Sequence, residues 1–213
     1  MNITKLSFEL AQYLGRQLNY DEDKTDILRY GFEVIIGETL KIIALLVIAY
    51  LLGIAPYVIV VFLTIGSYRL FSGGYHSATY GRCFILSLGL FLGIGKLVQF
   101  IFTNVTFHLP TLFSLVILTF AFSLVTAFKW APAEALNKPL SQLKKEKQKK
   151  LSLMWVILWL IVVMVIYGIT NPKEYSLIII GTTIGHFLQA VSITPLGISF
   201  TRRIDFLADK VIK

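Results

Sequence analysis

Few residues in this chain could carry metal, disulfide or soluble-domain chemistry. Of 213 residues, one is cysteine, three are histidine and 15% are charged. A single cysteine excludes an intrachain disulfide, so Cys83 is either inert filler or a working thiol. His76, His108 and His186 fall in separate segments with no second metal ligand three or four residues away, which reads against a helical zinc motif. No metal and no cofactor is expected. The scarcity of charge excludes an ordinary soluble domain: 56% of residues are hydrophobic and the mean hydropathy is +0.74, values of an integral membrane protein. Met1 to Asn19 lacks the continuous apolar run of a cleavable signal peptide. A net charge of +8 would suggest nucleic acid for a soluble protein. In a membrane protein it is read by position, and no nucleic-acid partner is expected.

What is there is apolar and periodic. Ile3, Leu6, Leu10, Leu14 and Leu18 recur at helical spacing among Lys5, Glu9, Gln12 and Arg16, the pattern of an amphipathic helix lying at the membrane surface. The alternative is a helix packed on a partner. An acidic run, Asp21-Glu22-Asp23 with Asp26, reads as a solvated turn. Six spans follow, at about 35–54, 57–70, 83–105, 111–128, 151–169 and 175–193. The expected fold is therefore an all-α integral membrane protein with about six transmembrane helices and an N-terminal interfacial helix. It reads as one membrane domain: 1–34 interfacial, 35–197 the bundle, and 198–213 a tail whose Ile204, Leu207 and Val211 share a face and return to the interface. Glu38 and Lys41, three apart in the first span, are expected to pair, and Lys96 is expected to pair within the bundle. Gly89/Gly93 and Gly181/Gly185 form two GxxxG patterns that permit close helix approach. Glu38, Asn104 and Gln189 are polar residues in or near spans and read first as packing residues, as does His186.

Basic residues orient the chain. With the N-terminus inside, 17 of the 20 Lys and Arg residues fall on the cytosolic side, seven of them between Lys129 and Lys150. The inverted arrangement would violate the positive-inside bias. Both termini and the stretch between the second and third spans then face the cytosol.

That stretch, Ser67 to Cys83, is polar and broken by glycine. It holds the only thiol, preceded seven residues earlier by His76. On a continuous helix, residues seven apart lie about 10 Å apart along the axis, too far for proton transfer. Gly73-Gly74 and Gly81 are expected to break the helix and let His76 fold back on Cys83. Cys83 is expected at a helix N-terminus, where the dipole favours an anion and backbone N–H groups could hold an oxyanion. A thiol beside an imidazole is the minimum equipment of a cysteine nucleophile activated by a general base.

Arg69, Ser72-Gly73-Gly74, His76 and Cys83, set between apolar spans, resemble the signature of the accessory gene regulator B (AgrB) family. Ala131-Pro132, Pro139, Gln189 and Thr194-Pro195-Leu196-Gly197 extend the resemblance. It implies a membrane cysteine endopeptidase of the bacterial cell membrane, active in quorum sensing. Such an enzyme cuts the C-terminal tail from an AgrD-like pheromone precursor and promotes closure of the product into a thiolactone ring. The resemblance implies Cys83 and His76 as catalytic residues and, with the GxxxG patterns, a homodimer. Arg69 and Arg82 bracket the site and either hold a carboxylate or anchor at the headgroups. Ser72 is either a hydrogen-bonding helper or a helix-end residue. Lys144 and Lys145 belong to a cationic face that would attract an acidic tail. Two readings stay beside this one: a peptidase that only hydrolyses, and a non-catalytic transporter or assembly protein.

Overall fold

The computed structural model describes residues 3–75, 79–106, 108–134, 140–169 and 172–211. His76, Pro139 and Asn171 lie outside the described residues. Among the described residues eight helices follow one another: α1 (Ile3–Gln17), α2 (Glu22–Leu51), α3 (Ala55–Ser72), α4 (Tyr80–Asn104), α5 (Leu109–Trp130), α6 (Gln142–Ile169), α7 (Pro172–Ser192) and α8 (Pro195–Val211). The chain is an all-α membrane protein. Helices α2 to α6 are each long and apolar enough to cross a bilayer, and α7 with α8, bent by 86°, make a sixth candidate span. Two compact units form, Met1–Ile48 and Ala49–Lys213.

In the first unit, α1 buries the small residues Ser7, Ala11 and Gly15. A Cβ on Gly15 would lie 2.6 Å from Thr25 Oγ1, so this stripe seats α1 against the start of α2. Leu10 and Leu18 stay exposed. Asn19 ends α1 in the left-handed region, φ 52°, and the Tyr20 N–H closes on Gly15 O at 2.9 Å, a helix stop built on asparagine. Asp21 then caps α2, its Oδ1 accepting from Lys24 N at 2.8 Å. The acidic run is therefore not a free turn: Asp21 is a cap, and Glu22 and Asp23 are the first helical turn, where negative charge suits the helix dipole. Glu38 and Lys41 pair as their spacing predicts, at 2.5 Å.

In the second unit α3 is the axis, packed by α4, α6 and α7. Val58, Val61, Ile65 and Tyr68 line its buried face. Close approach depends on missing side chains opposite it: a Cβ on Gly95 would meet Val58 Cγ2 at 2.4 Å, one on Gly181 Val60 Cγ1 at 2.7 Å, and one on Gly185 Thr64 Cβ at 3.2 Å. The Gly181/Gly185 pattern thus works inside the bundle. Gly89 and Gly93 meet nothing within 4 Å. Lys96 does not turn into the bundle; it is exposed and bonds Gln99 Oε1 at 2.8 Å.

Two apolar clusters stack along α3. One centres on Val61, Val98, Val116, Val163 and Ile179. The other lies towards the C-terminal end of α3 and is built from small residues around Tyr68: Ala127, Ala131, Ala133, Val156, Ala190 and Ile193. Between them the His186 ring is sandwiched, 4.5 Å from Tyr68 and 4.1 Å from Trp159, both nearly parallel at 7°. His186 is fully buried and packs helices, as its position predicts.

Candidate active site

Gly73 and Gly74 make the break after α3. Their φ values, 70° and 149°, are ones that side-chain-bearing residues rarely adopt. Space enforces the same choice: a Cβ on Gly73 would lie 2.3 Å from Ala133 O, and one on Gly74 2.6 Å from Arg69 Nη1. Gly81 plays no such part. It is the second residue of α4, with nothing within 4 Å and no left-handed φ, so among the described glycines of this stretch only Gly73 and Gly74 interrupt the helix.

The segment leaving α3 is stitched to two distant parts of the chain. Ala133 N donates to Ser72 O at 2.8 Å and Gly74 N to Ala133 O at 3.1 Å, a short parallel bridge to the segment after α5. Gln189 on α7, 1% exposed, donates through Nε2 to Ser72 Oγ at 2.9 Å and to Gly73 O at 3.0 Å. Sequence position alone reads Gln189 as a packing residue. Folded, its amide serves two acceptors at the glycine turn, the buried Ser72 Oγ and the part-buried Gly73 O, a task apolar side chains cannot perform. Ser72 is at once a helix-end residue and the acceptor of that bond.

Arg69 and Arg82 both turn onto the chain itself. Arg69 donates to Tyr75 O and lies over Gly74. Arg82 Nε donates to Thr79 Oγ1 at 3.0 Å and faces Asp205 Oδ1 at 3.9 Å. Asp205, on α8 and 3% exposed, also accepts from Tyr75 OH at 2.9 Å. Burial first, and then this bond, hold the Tyr75 phenol above its ordinary 10.0, so it stays a neutral donor. Sequence reasoning passes over Asp205. Its one signal is period: Gly197, Thr201 and Asp205 fall four apart on the inward face of α8.

Cys83 lies half-buried in the first turn of α4. Its own N–H already donates to Thr79 O at 3.0 Å, so that group is not available to an oxyanion. One turn on, Ser87 Oγ stands 3.9 Å from Sγ and bonds Cys83 O, a neighbour that the sequence analysis missed. Arg82, Cys83, the glycine turn, Ala133, Gln189 and Asp205 therefore gather at one end of the second unit.

Beside Ala133, a cavity of about 310 Å³ is lined by Lys129, Trp130, Pro132, Glu134, Lys145 and Lys149, among others. Lys145 pairs with Glu134 at 3.0 Å, and Lys144 is exposed on the same first turn of α6. Glu134 Oε1 also accepts from Leu140 N at 3.0 Å. That bond, followed by the one to Lys145, lowers the Glu134 pKa below its ordinary 4.5.

Residues 7–193 match a family model described as accessory gene regulator B. The chain is 27% identical to a protein of Clostridium perfringens (strain SM101 / Type A) described as AgrB-like, over 99% of this chain and 100% of that one. A second such protein, from Clostridium perfringens (strain 13 / Type A), is 28% identical over 99% of both chains. One from Listeria innocua is 30% identical over 93% of this chain and 91% of its own. No solved structure gives a significant match.

Proposed function

This chain belongs to the accessory gene regulator B family, and from that premise we propose that it is a membrane cysteine endopeptidase acting on an AgrD-like pheromone precursor. The observation that carries the reading is the gathering at Cys83. The only thiol of the chain sits at the start of a helix, on the same end as a glycine turn stitched to Ala133 and Gln189.

In this reading His76 takes the proton of the Cys83 thiol, and the thiolate attacks a backbone carbonyl of the precursor. Protonated His76 then gives the proton to the leaving amine, releasing the C-terminal tail and leaving a thioester on Cys83. A cysteine of the precursor displaces Cys83 and closes a thiolactone. Thioester exchange is close to balanced, whereas making a thioester from an amide is uphill, so removal of the tail draws the sequence forward. Water must be kept from the acyl-enzyme, or hydrolysis competes.

The enzyme lies in the bacterial cell membrane with both termini and the Cys83 end facing the cytosol, where the positive-inside bias puts the lysines around the cavity. These lysines, Lys145 among them, and the exposed Lys144 beside them suit an acidic tail. Arg69 and Arg82, turned onto the chain itself, hold the site together. The open Gly89/Gly93 face of α4 suits a second copy, making the active form a homodimer.

Co-expression with the precursor and mass spectrometry of the product tests the reading. The expected product is a ring one water lighter than the linear core, absent with Cys83→Ser and with His76→Ala while both variants still reach the membrane. A linear core alone would mean hydrolysis without cyclisation. An intact precursor would end the enzymatic reading.

A further inference from the structure

Asp205 takes no part in the acyl transfer above, yet it touches the residue before each of the two reacting groups. Tyr75 precedes His76, and Arg82 precedes Cys83. One carboxylate holds both: Oδ2 accepts from the Tyr75 hydroxyl at 2.9 Å, and Oδ1 faces Arg82 Nε at 3.9 Å. At 3% exposure an anion is tolerable only where donors and positive charge compensate it, so its placement here is not a surface accident. Asp205 lies beyond residue 193, where the family match ends. It reaches the site because the chain bends by 86° between α7 and α8, with Thr194 Oγ1 capping the new helix at Gly197 N, 3.1 Å away.

We propose that Asp205 is a positioning residue, a clamp from α8 that ties the backbone entering His76 to the first turn of α4 and so sets the approach of imidazole to thiol. The proposal rests on the His76–Cys83 pairing of the peptidase reading, though not on cleavage of a precursor; only the contacts of Asp205 with Tyr75 and Arg82 stand apart from it. Proton transfer needs heavy atoms within about 3 Å, and a misplacement of about 1 Å can cost a hundredfold in rate. A carboxylate that bonds one side of the segment and pairs with the other is suited to prevent such drift.

The single cysteine makes the test direct. In membranes carrying the full chain, the rate of iodoacetamide alkylation as a function of pH reports Cys83 and no other thiol of this protein. Asp205→Ala and His76→Ala are expected to slow alkylation near neutral pH by a similar factor, about tenfold or more given the usual size of general-base effects, with the double variant no slower than His76→Ala. Tyr75→Phe removes one hydroxyl from a loop and is expected to reproduce part of the effect without the risk of unfolding. Asp205→Glu is expected to recover part of it. With precursor, Asp205→Ala is expected to lower kcat by about 10- to 100-fold and leave KM within about threefold.

Wild-type alkylation profiles in both Asp205→Ala and Tyr75→Phe would overturn the clamp, as would independent, multiplying effects of Asp205→Ala and His76→Ala. The two readings fail separately. If the wild-type chain leaves the precursor intact while Asp205 and His76 variants still move the alkylation profile together, the clamp stands and the peptidase reading falls. If the wild-type chain cuts the precursor and the Asp205 and Tyr75 variants behave as wild type, only the clamp falls.

Discussion

Gly73 is held by a carbonyl. Its missing Cβ leaves room for Ala133 O, and its φ of 70° is one that alanine adopts only with strain. Gly73→Ala is expected to lose about 1–3 kcal/mol from the backbone strain alone, before the clash is counted, and to abolish processing; thermal unfolding in detergent and the product spectrum check both. Gln189→Leu keeps the volume but removes the donor to Ser72 Oγ and Gly73 O. A loss of about 1–3 kcal/mol follows from stranding buried acceptors, whereas Lys96→Gln, at an exposed position, is expected to change stability by less than about 0.5 kcal/mol. Glu134 gives a pH dependence of known sign. Its folded pKa lies below 4.5, so the ties to Leu140 and Lys145 contribute fully above that value and fade as pH falls through the lowered one. Thermal unfolding in detergent should show stability falling in that acidic window, and Glu134→Gln should remove that part of the pH dependence. The glycine pair was legible from sequence because two adjacent glycines at the end of an apolar run have few other uses. The contribution of Gln189 was not, because a glutamine in a span reads the same whether it meets a helix or a turn.

At the scale of helices, the spans were readable because each is an apolar run long enough to cross a bilayer, and their order follows from the polar breaks. Their ends were less readable. Helix α2 starts at Glu22 and α6 at Gln142, well before their apolar runs, because charged residues such as Lys144 and Glu146 are good helix formers and an amphipathic margin carries no stop signal. Of the two GxxxG patterns, one packs within the bundle and the other faces outward, a distinction that spacing cannot make. Gly181→Leu is therefore expected to wedge α7 from α3 and cost about 1–3 kcal/mol. Gly89→Leu is expected to leave the stability of the monomer unchanged and to weaken self-association, read by crosslinking in membranes. The sharp turn into α8 was hidden for a related reason: Thr194-Pro195 announces a helix start but not its angle, and the angle decides where Asp205 lands.

For the molecule as a whole, the uneven distribution of lysine and arginine is, on the proposed reading, what sets topology and attracts the substrate. Reversing charge within Lys144 to Lys150 is expected to raise KM for a precursor with an acidic tail, more at low salt than at high, with little effect on a precursor whose tail has been neutralised. Unchanged cleavage after neutralising these lysines would remove the electrostatic part of the reading.

The place of α8 four helices after the one that begins beside Cys83 has a consequence in time if Asp205 is the clamp proposed for it. A ribosome delivers the thiol and the imidazole long before it delivers Asp205, so a nascent chain would carry its reactive groups through insertion with the fastening still unmade. On the proposed reading, competence for catalysis would then arrive with α8, and a product terminated just before α8 would insert normally yet remain largely silent.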